Sequence, residues 1–171
     1  MDFVRSLIAE IPDFPKPGIL FRDITPALQS PESISCIVDS FAIRYQDSNI
    51  SHFVAVESRG FLFASALAYK LGKGLVLARK PGKLPGETFS VSYDLEYGDD
   101  RLEMNTDAVS GNDRVVVVDD LIATGGTAKA VCDLVVKCGA TPVELAVVIE
   151  LAALEGRKRL TPIDTHALLT Y

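Results

Sequence analysis

Apolar runs and amphipathic stretches take turns along this chain. Residues 115–118 are four consecutive valines. Such a run cannot alternate between core and water, so it predicts a strand covered on both faces, as in the middle of a parallel sheet. After Asp119 and Asp120 at its carboxyl end, the small residues Ala123, Thr124, Gly125, Gly126 and Thr127 predict a turn. A helix follows, with Ala128, Val131, Leu134, Val135 and Cys138 as its buried stripe and Gly139 as its stop. Upstream, Phe3, Val4, Leu7, Ile8 and Ile11 fall at helical spacing, predicting a helix over 2–11 that ends before Pro12. Pro12, Pro15, Pro17 and Pro26 then bracket the apolar residues 19–21 in a stiff, irregular connector. Two readings stand for that connector: an arm that packs Phe21 into the core, or a small hood over a site.

A helix over 31–45 is predicted with Ser30 as its cap and Ile34, Ile37, Val38 and Phe41 on one face. Residues 53–56 read as a strand, 57–60 as a turn, and the next stretch as a helix that stops at Gly72; 75–78 is a further strand. Between 88 and 97 the chain alternates, with Phe89, Val91, Tyr93, Leu95 and Tyr97 on one face and Thr88, Ser90, Ser92, Asp94 and Glu96 on the other. Leu102 and Met104 suggest a return strand, so 87–107 forms an antiparallel excursion, either a lid or an edge hairpin. Strand, short basic helix and strand follow at 142–151, 154–160 and 165–170. This alternation predicts an α/β fold, a central mostly parallel sheet flanked by helices, with a small N-terminal hood and an antiparallel lid excursion.

Composition narrows the class. At 171 residues, 48% apolar and 23% charged, the chain reads as one soluble globular domain over 1–171, with the hood inside 1–30 and a basic loop and lid over 79–107. A net charge of −6 argues against general nucleic-acid binding, which needs a basic surface. Cys36, Cys132 and Cys138 lack metal-ligand spacing and read as reduced thiols. The first residues, MDFVRSLIAEI, carry acids and no long apolar run, so neither a secretory signal nor a membrane anchor is expected, and the expected location is cytoplasmic. His52 and His166 are isolated and read as structural or surface residues.

Candidate chemistry gathers at the predicted carboxyl edge of the sheet, where open α/β sheets bind ligands. Neither GxxxxGK[ST] nor GxGxxG is present, which excludes a standard Walker loop and argues against a dinucleotide fold. A bare turn lets backbone N–H groups converge on an anion at a helix N-terminus. The helix dipole supplies roughly 0.3–1 kcal/mol, so charge-assisted N–H contacts of about 1.5–3 kcal/mol each must carry most of the binding. Paired carboxylates beside such a cradle suit a sugar phosphate, because they accept hydrogen bonds from ribose hydroxyls. Arg59, taken singly, reads as a surface salt bridge; Arg79, Lys80 and Lys83 make a basic loop placed to meet an anion.

VVVVDDLIATGGT, residues 115–127, resembles the phosphoribosyl pyrophosphate motif of the type I phosphoribosyltransferases. With Ala123 and the segments PGILFRDITP (17–26), ESRGFLF (57–63), RKPGKLPGE (79–87) and YDLEYG (93–98), most of the chain resembles their adenine-specific family. The resemblance implies the type I phosphoribosyltransferase fold and transfer of a 5-phosphoribosyl group from phosphoribosyl pyrophosphate to N9 of adenine, giving AMP and pyrophosphate in purine salvage. It implies Mg²⁺ carried mainly by the substrate, with no protein metal site, and a homodimer. Ala123, Thr124, Gly125, Gly126 and Thr127 would hold the 5-phosphate, and Asp119 and Asp120 the ribose hydroxyls. Arg59, Lys80 and Lys83 would neutralise pyrophosphate, one loop lysine reaching a neighbouring subunit. Phe21 would stack on the base while main-chain groups of Leu20 and Arg22 read its edge. Glu96 and Tyr97 would approach the reacting groups, Glu96 taking the proton of the base. One departure is Ala64, where the family generally has Gly. Two other readings are a non-catalytic sensor of phosphoribosyl pyrophosphate, which would not need Lys80, Lys83, Glu96 and Tyr97, and a transferase for another purine.

Overall fold

The computed structural model describes residues 1–95 and 98–171, with side chains described everywhere except 94–99. Its centre is a five-stranded parallel sheet. The strands are β3 (His52–Val56), β4 (Gly74–Ala78), β7 (Arg114–Ile122), β8 (Thr141–Glu150) and β9 (Asp164–Thr170), in the spatial order β4-β3-β7-β8-β9. The valine run forms the middle strand. Val116 and Val118 face one apolar layer, Val115 and Val117 the other, and all four are fully buried. Burying a valine side chain contributes roughly 1.5–3 kcal/mol, which is why this strand resists any position but the centre.

The first layer is closed by α3 (Pro31–Tyr45) and α4 (Gly60–Leu71), which contribute Ile37, Phe41, Phe63 and Leu67. Ser30 caps α3 as expected, its hydroxyl accepting from the Ser33 N–H at 3.2 Å, and α4 ends on Gly72 in the left-handed conformation. Ile34, expected on the buried face of α3, is instead exposed. The second layer is closed by α5 (Gly126–Lys137) and by an antiparallel hairpin, β5 (Thr88–Leu95) and β6 (Gly98–Asn105). Leu102 and Met104 of β6 are completely buried there, with Phe89, Val91 and Tyr93 packed against the same layer. The base of the excursion is therefore core.

Three of the expected elements take another form. The N-terminal helix, α1, covers only Asp2–Ser6; Ala9–Pro12 is a strand, β1, paired antiparallel with Leu20–Asp23, β2. Isolated short helices are marginal, Pro12 pushes Ile11 out of the helical region, and pairing with β2 satisfies the same backbone groups. The proline-rich connector is thus a hairpin carrying regular structure, followed by the single turn α2 (Thr25–Leu28). The basic helix at 154–160 is two 3-10 segments, Ala152–Leu154 and Gly156–Leu160, split by Glu155 at φ 53°.

Candidate active site

Strand register creates the site. Ala55 of β3 pairs with Val118, and β3 ends one residue later, whereas on the other side β8 accompanies β7 as far as Ile122 and Glu150. The segment from Asp119 onward therefore has one open flank. The carboxylates are not at the strand's last positions, as the sequence suggested, but two residues inside it. Into the open flank comes the start of α4. A Cβ on Gly60 would lie 2.4 Å from the Val118 carbonyl oxygen and 3.3 Å from Asp119 Oδ1, so only glycine lets this helix begin against the strand.

Asp120 is nearly buried and accepts a hydrogen bond from Arg59 Nε, the two forming an ion pair. Asp119 Oδ1 accepts the Asp120 backbone N–H at 2.8 Å. Burial, and then the charge of Asp120, push the Asp119 carboxyl well above the usual carboxylate range. Ala123 to Gly125 then turn the chain, and α5 already begins at Gly126, so Gly126 and Thr127 sit in the helix's first turn. Gly125 has φ +81°, and a Cβ there would meet the Gly156 carbonyl oxygen at 2.4 Å. A Cβ on Gly156 would in turn meet the Ala123 carbonyl oxygen at 2.2 Å. Two glycines thus seat the turn on the 3-10 segment beneath it. The first-turn N–H groups of α5 have no partner inside the helix. They border a 190 Å³ cavity lined by Asp119, Leu121, Ile122 and residues 123–128.

A second cavity of 330 Å³ shares Asp119, Leu121 and Thr127 with the first and is also lined by Glu57, Ser58, Arg59, Lys80, Tyr93, Asp100 and Asp120. Glu57 shapes its rim: one carboxylate oxygen accepts from Arg79 Nη2 at 3.1 Å, the other from the Lys80 backbone N–H at 2.7 Å. Burial alone would raise the Glu57 carboxyl, but those two donors hold it below its ordinary range. Lys80 Nζ pairs with Asp100, which also accepts from the Tyr93 hydroxyl at 3.1 Å. The loop is tied to β6 by reciprocal backbone bonds between Arg79 and Glu103, 2.9 and 2.7 Å long.

The structure therefore brings Arg59, Lys80, Asp119, Asp120 and the 123–127 turn together. Lys83 is exposed and lines neither cavity. Leu20, Phe21 and Arg22 also line neither. Phe21 is half-buried outside the two core layers, edge-on to Phe14 with ring centroids 5.2 Å apart. This rules out the arm that packs Phe21 into the core. The Arg22 side chain pairs with Glu10 and lies over the Tyr171 ring at 4.2 Å. Bonds from Thr25 hold the Asp23 carboxyl low, with a contribution from the charge of Arg59, so the end of β2 stands within electrostatic reach of the site. Glu96 and Tyr97 lie outside the described residues. Ala64 is buried in the first core layer and lines neither cavity. His166 packs edge-on to Phe41 at 6.0 Å, and His52 stands 3.3 Å from Asp113.

Sequence reading missed Glu57, Tyr93 and Asp100 as cavity residues and Gly60 and Gly156 as packing requirements. Glu57 carried a faint signal, standing at the carboxyl end of a predicted strand like Asp119; the others depend on contacts made far along the chain. Among the described residues no group of three or more His, Cys, Asp or Glu side chains is placed to hold a metal ion.

A family model described as phosphoribosyl transferase domain matches residues 28–168. An adenine phosphoribosyltransferase of Anaeromyxobacter sp. (strain Fw109-5) is 53% identical over 171 residues, covering 100% of this chain and 97% of the relative. Among solved structures, adenine phosphoribosyltransferase from Thermoanaerobacter pseudethanolicus superposes with a TM-score of 0.96 at 45% identity, covering 99% of each chain. The Saccharomyces cerevisiae adenine phosphoribosyltransferase, solved with an imino-altritol bisphosphate and adenine, superposes with a TM-score of 0.93 at 38% identity over 98% of this chain and 97% of its own. With the sheet, the acidic strand and the glycine-seated turn in place, these likenesses end to end establish that the chain belongs to the phosphoribosyltransferase family, in its adenine phosphoribosyltransferase branch.

Proposed function

We propose that the protein transfers the 5-phosphoribosyl group of phosphoribosyl pyrophosphate to N9 of adenine, releasing pyrophosphate and forming AMP. The observation that carries this reading is the junction at Asp119, where a backbone-lined anion cradle and a cavity flanked by Arg59, Lys80 and Asp120 share a wall of Asp119, Leu121 and Thr127. One molecule with a phosphate at one end, ribose hydroxyls in the middle and a diphosphate at the other matches that order of groups. The 123–127 turn holds the 5-phosphate, Asp119 and Asp120 accept from the ribose hydroxyls, and Arg59 and Lys80 face the diphosphate. The base enters from the side of the β1–β2 hairpin, with Phe21 as its stacking face and the main chain of Leu20 and Arg22 at its edge. Lys83 serves the diphosphate only once its loop, or a neighbouring subunit, presents it.

As the bond from C1 of ribose to the diphosphate weakens, negative charge grows on the leaving group and positive charge on the sugar. Fixed cations at one end and fixed carboxylates at the other stabilise both, so no protein nucleophile is needed. Carried by the diphosphate beside Arg59 and Lys80, Mg²⁺ would add charge neutralisation at the leaving group. Glu96 takes the N9 proton, and the far end of the β5–β6 hairpin keeps water from the reacting carbon. A main-chain carbonyl facing the amino group of adenine would face an oxygen in hypoxanthine, which disfavours that base. The same reading carries a homodimer and a cytoplasmic location; the exposed Leu62 and Tyr69, seven residues apart on one face of α4, suit a subunit contact.

The test is pyrophosphate release from phosphoribosyl pyrophosphate and Mg²⁺, with and without purine bases. Release that requires a base supports transfer; no release with any base sinks it. Asp120→Asn is expected to lower kcat/KM by roughly ten- to a hundredfold, the worth of one charge-assisted hydrogen bond, with an unchanged circular dichroism spectrum. Loss of the spectrum would make Asp120 a structural residue instead.

A further inference from the structure

The cavity proposed to hold the diphosphate is lined by four carboxylates, Glu57, Asp100, Asp119 and Asp120, against two cations, Arg59 and Lys80. For a strongly anionic ligand that balance is adverse, and the carboxylates differ in what else they do. Glu57 fixes the basic loop through Arg79 and the Lys80 backbone, and Asp119 and Asp120 belong to the central strand. Asp100 alone of the four stands on the hairpin, on β6, two residues from the buried Leu102 where the hairpin leaves the core. It takes the Lys80 ammonium and the Tyr93 hydroxyl on the same carboxylate oxygen.

The two ion pairs in this cavity also differ in permanence. The Asp120 side chain is 8% exposed, so the partner of Arg59 is locked in the core. The Lys80 and Asp100 side chains are 41% and 24% exposed. A pair that water reaches from both sides is weak and exchanges readily for a ligand of higher charge.

We propose that Asp100 is a positioning residue that stands in for the diphosphate: it holds Lys80 and yields it when a diphosphate arrives. The exchange leaves Asp100 without its cation beside a polyanion, so it sets the diphosphate's affinity and couples occupancy to the hairpin rather than to the sheet. This rests on the reading of the cavity given above.

Calorimetric titration with inorganic pyrophosphate and Mg²⁺ tests it. Asp100→Asn removes the competing charge and is expected to tighten pyrophosphate binding roughly fivefold, the worth of one exposed pair. In a Lys80→Ala background the same change is expected to bring a clearly smaller gain, because the competition for Lys80 is gone and only the repulsion from Asp100 remains, a dependence a merely structural Asp100 would not produce. Equal or weaker binding by a folded Asp100→Asn protein overturns the proposal, as does a gain that is undiminished without Lys80. Should asparagine unfold the hairpin, Asp100→Ser removes the same charge and carries the same expectation. Wild-type protein that binds no pyrophosphate would sink the reading of the cavity together with this inference; wild-type binding without a gain in the variant sinks this inference alone.

Discussion

At the scale of single residues, the site is decided by where a side chain is forbidden as much as by where one is supplied. Gly125 combines a positive φ with a carbonyl 2.4 Å from the place its Cβ would occupy, so Gly125→Ala meets backbone strain and backbone collision together. The expected cost is about 1–3 kcal/mol of stability, with weaker binding of phosphoribosyl pyrophosphate as the turn shifts off Gly156. Urea unfolding and a binding titration check both; wild-type values in each would show that the turn relaxes freely. The need for glycine at 125 was legible as part of a bare turn. The need at 156 was not, because its reason is the carbonyl of Ala123 and that residue is distant in sequence.

Elements bring those residues together, and the β5–β6 hairpin is the instructive one. Alternating side chains predicted β5, and Leu102 and Met104 the return strand, which begins earlier than expected, at Gly98; whether the hairpin merely hangs at the edge stayed open. Burial of Leu102 and Met104 answers for its base. Leu102→Ala is therefore expected to cost about 2–5 kcal/mol by chemical unfolding, whereas a hairpin merely resting on the surface would lose little. A second joint lies near the start of β8. There the Glu144 carboxylate of β8 accepts from Arg44 Nε at 2.8 Å and from the buried Tyr45 hydroxyl, tying α3 to the sheet. Burial would raise the Glu144 carboxyl, but bonds from Arg44 and then Tyr45 hold it below its ordinary range. A depressed carboxylate contributes stability that is full above its unfolded pKa, near 4.5, and is lost as pH falls through the folded value. Glu144→Gln is thus expected to lose about 1–3 kcal/mol at pH 7 and to show a flatter decline between pH 5 and 3 than wild type. An equal slope in the two proteins would remove Glu144 from the acid transition.

For the molecule as a whole, legibility followed the range of the interaction. Capping of α3 by Ser30, the stop of α4 at Gly72 and the two-sided burial of the valine run are local facts, and the sequence carried them. The β1–β2 hairpin was misread because its stabilising partner lies beyond the prolines, and helical spacing over 2–11 gave a plausible local alternative. Asp119, Asp120 and the turn were legible as one stretch, whereas Asp100 and Glu57 join the site only through tertiary approach across Lys80. What the assembled molecule does with this site is a question about bases. The most direct measurement compares kcat/KM for AMP formation from adenine with the corresponding values for hypoxanthine and guanine at saturating phosphoribosyl pyrophosphate and Mg²⁺. A preference for adenine of roughly a hundredfold or more is predicted, the order expected when a wrong base leaves buried polar groups unpaired. Equal or greater turnover of hypoxanthine or guanine would contradict the account.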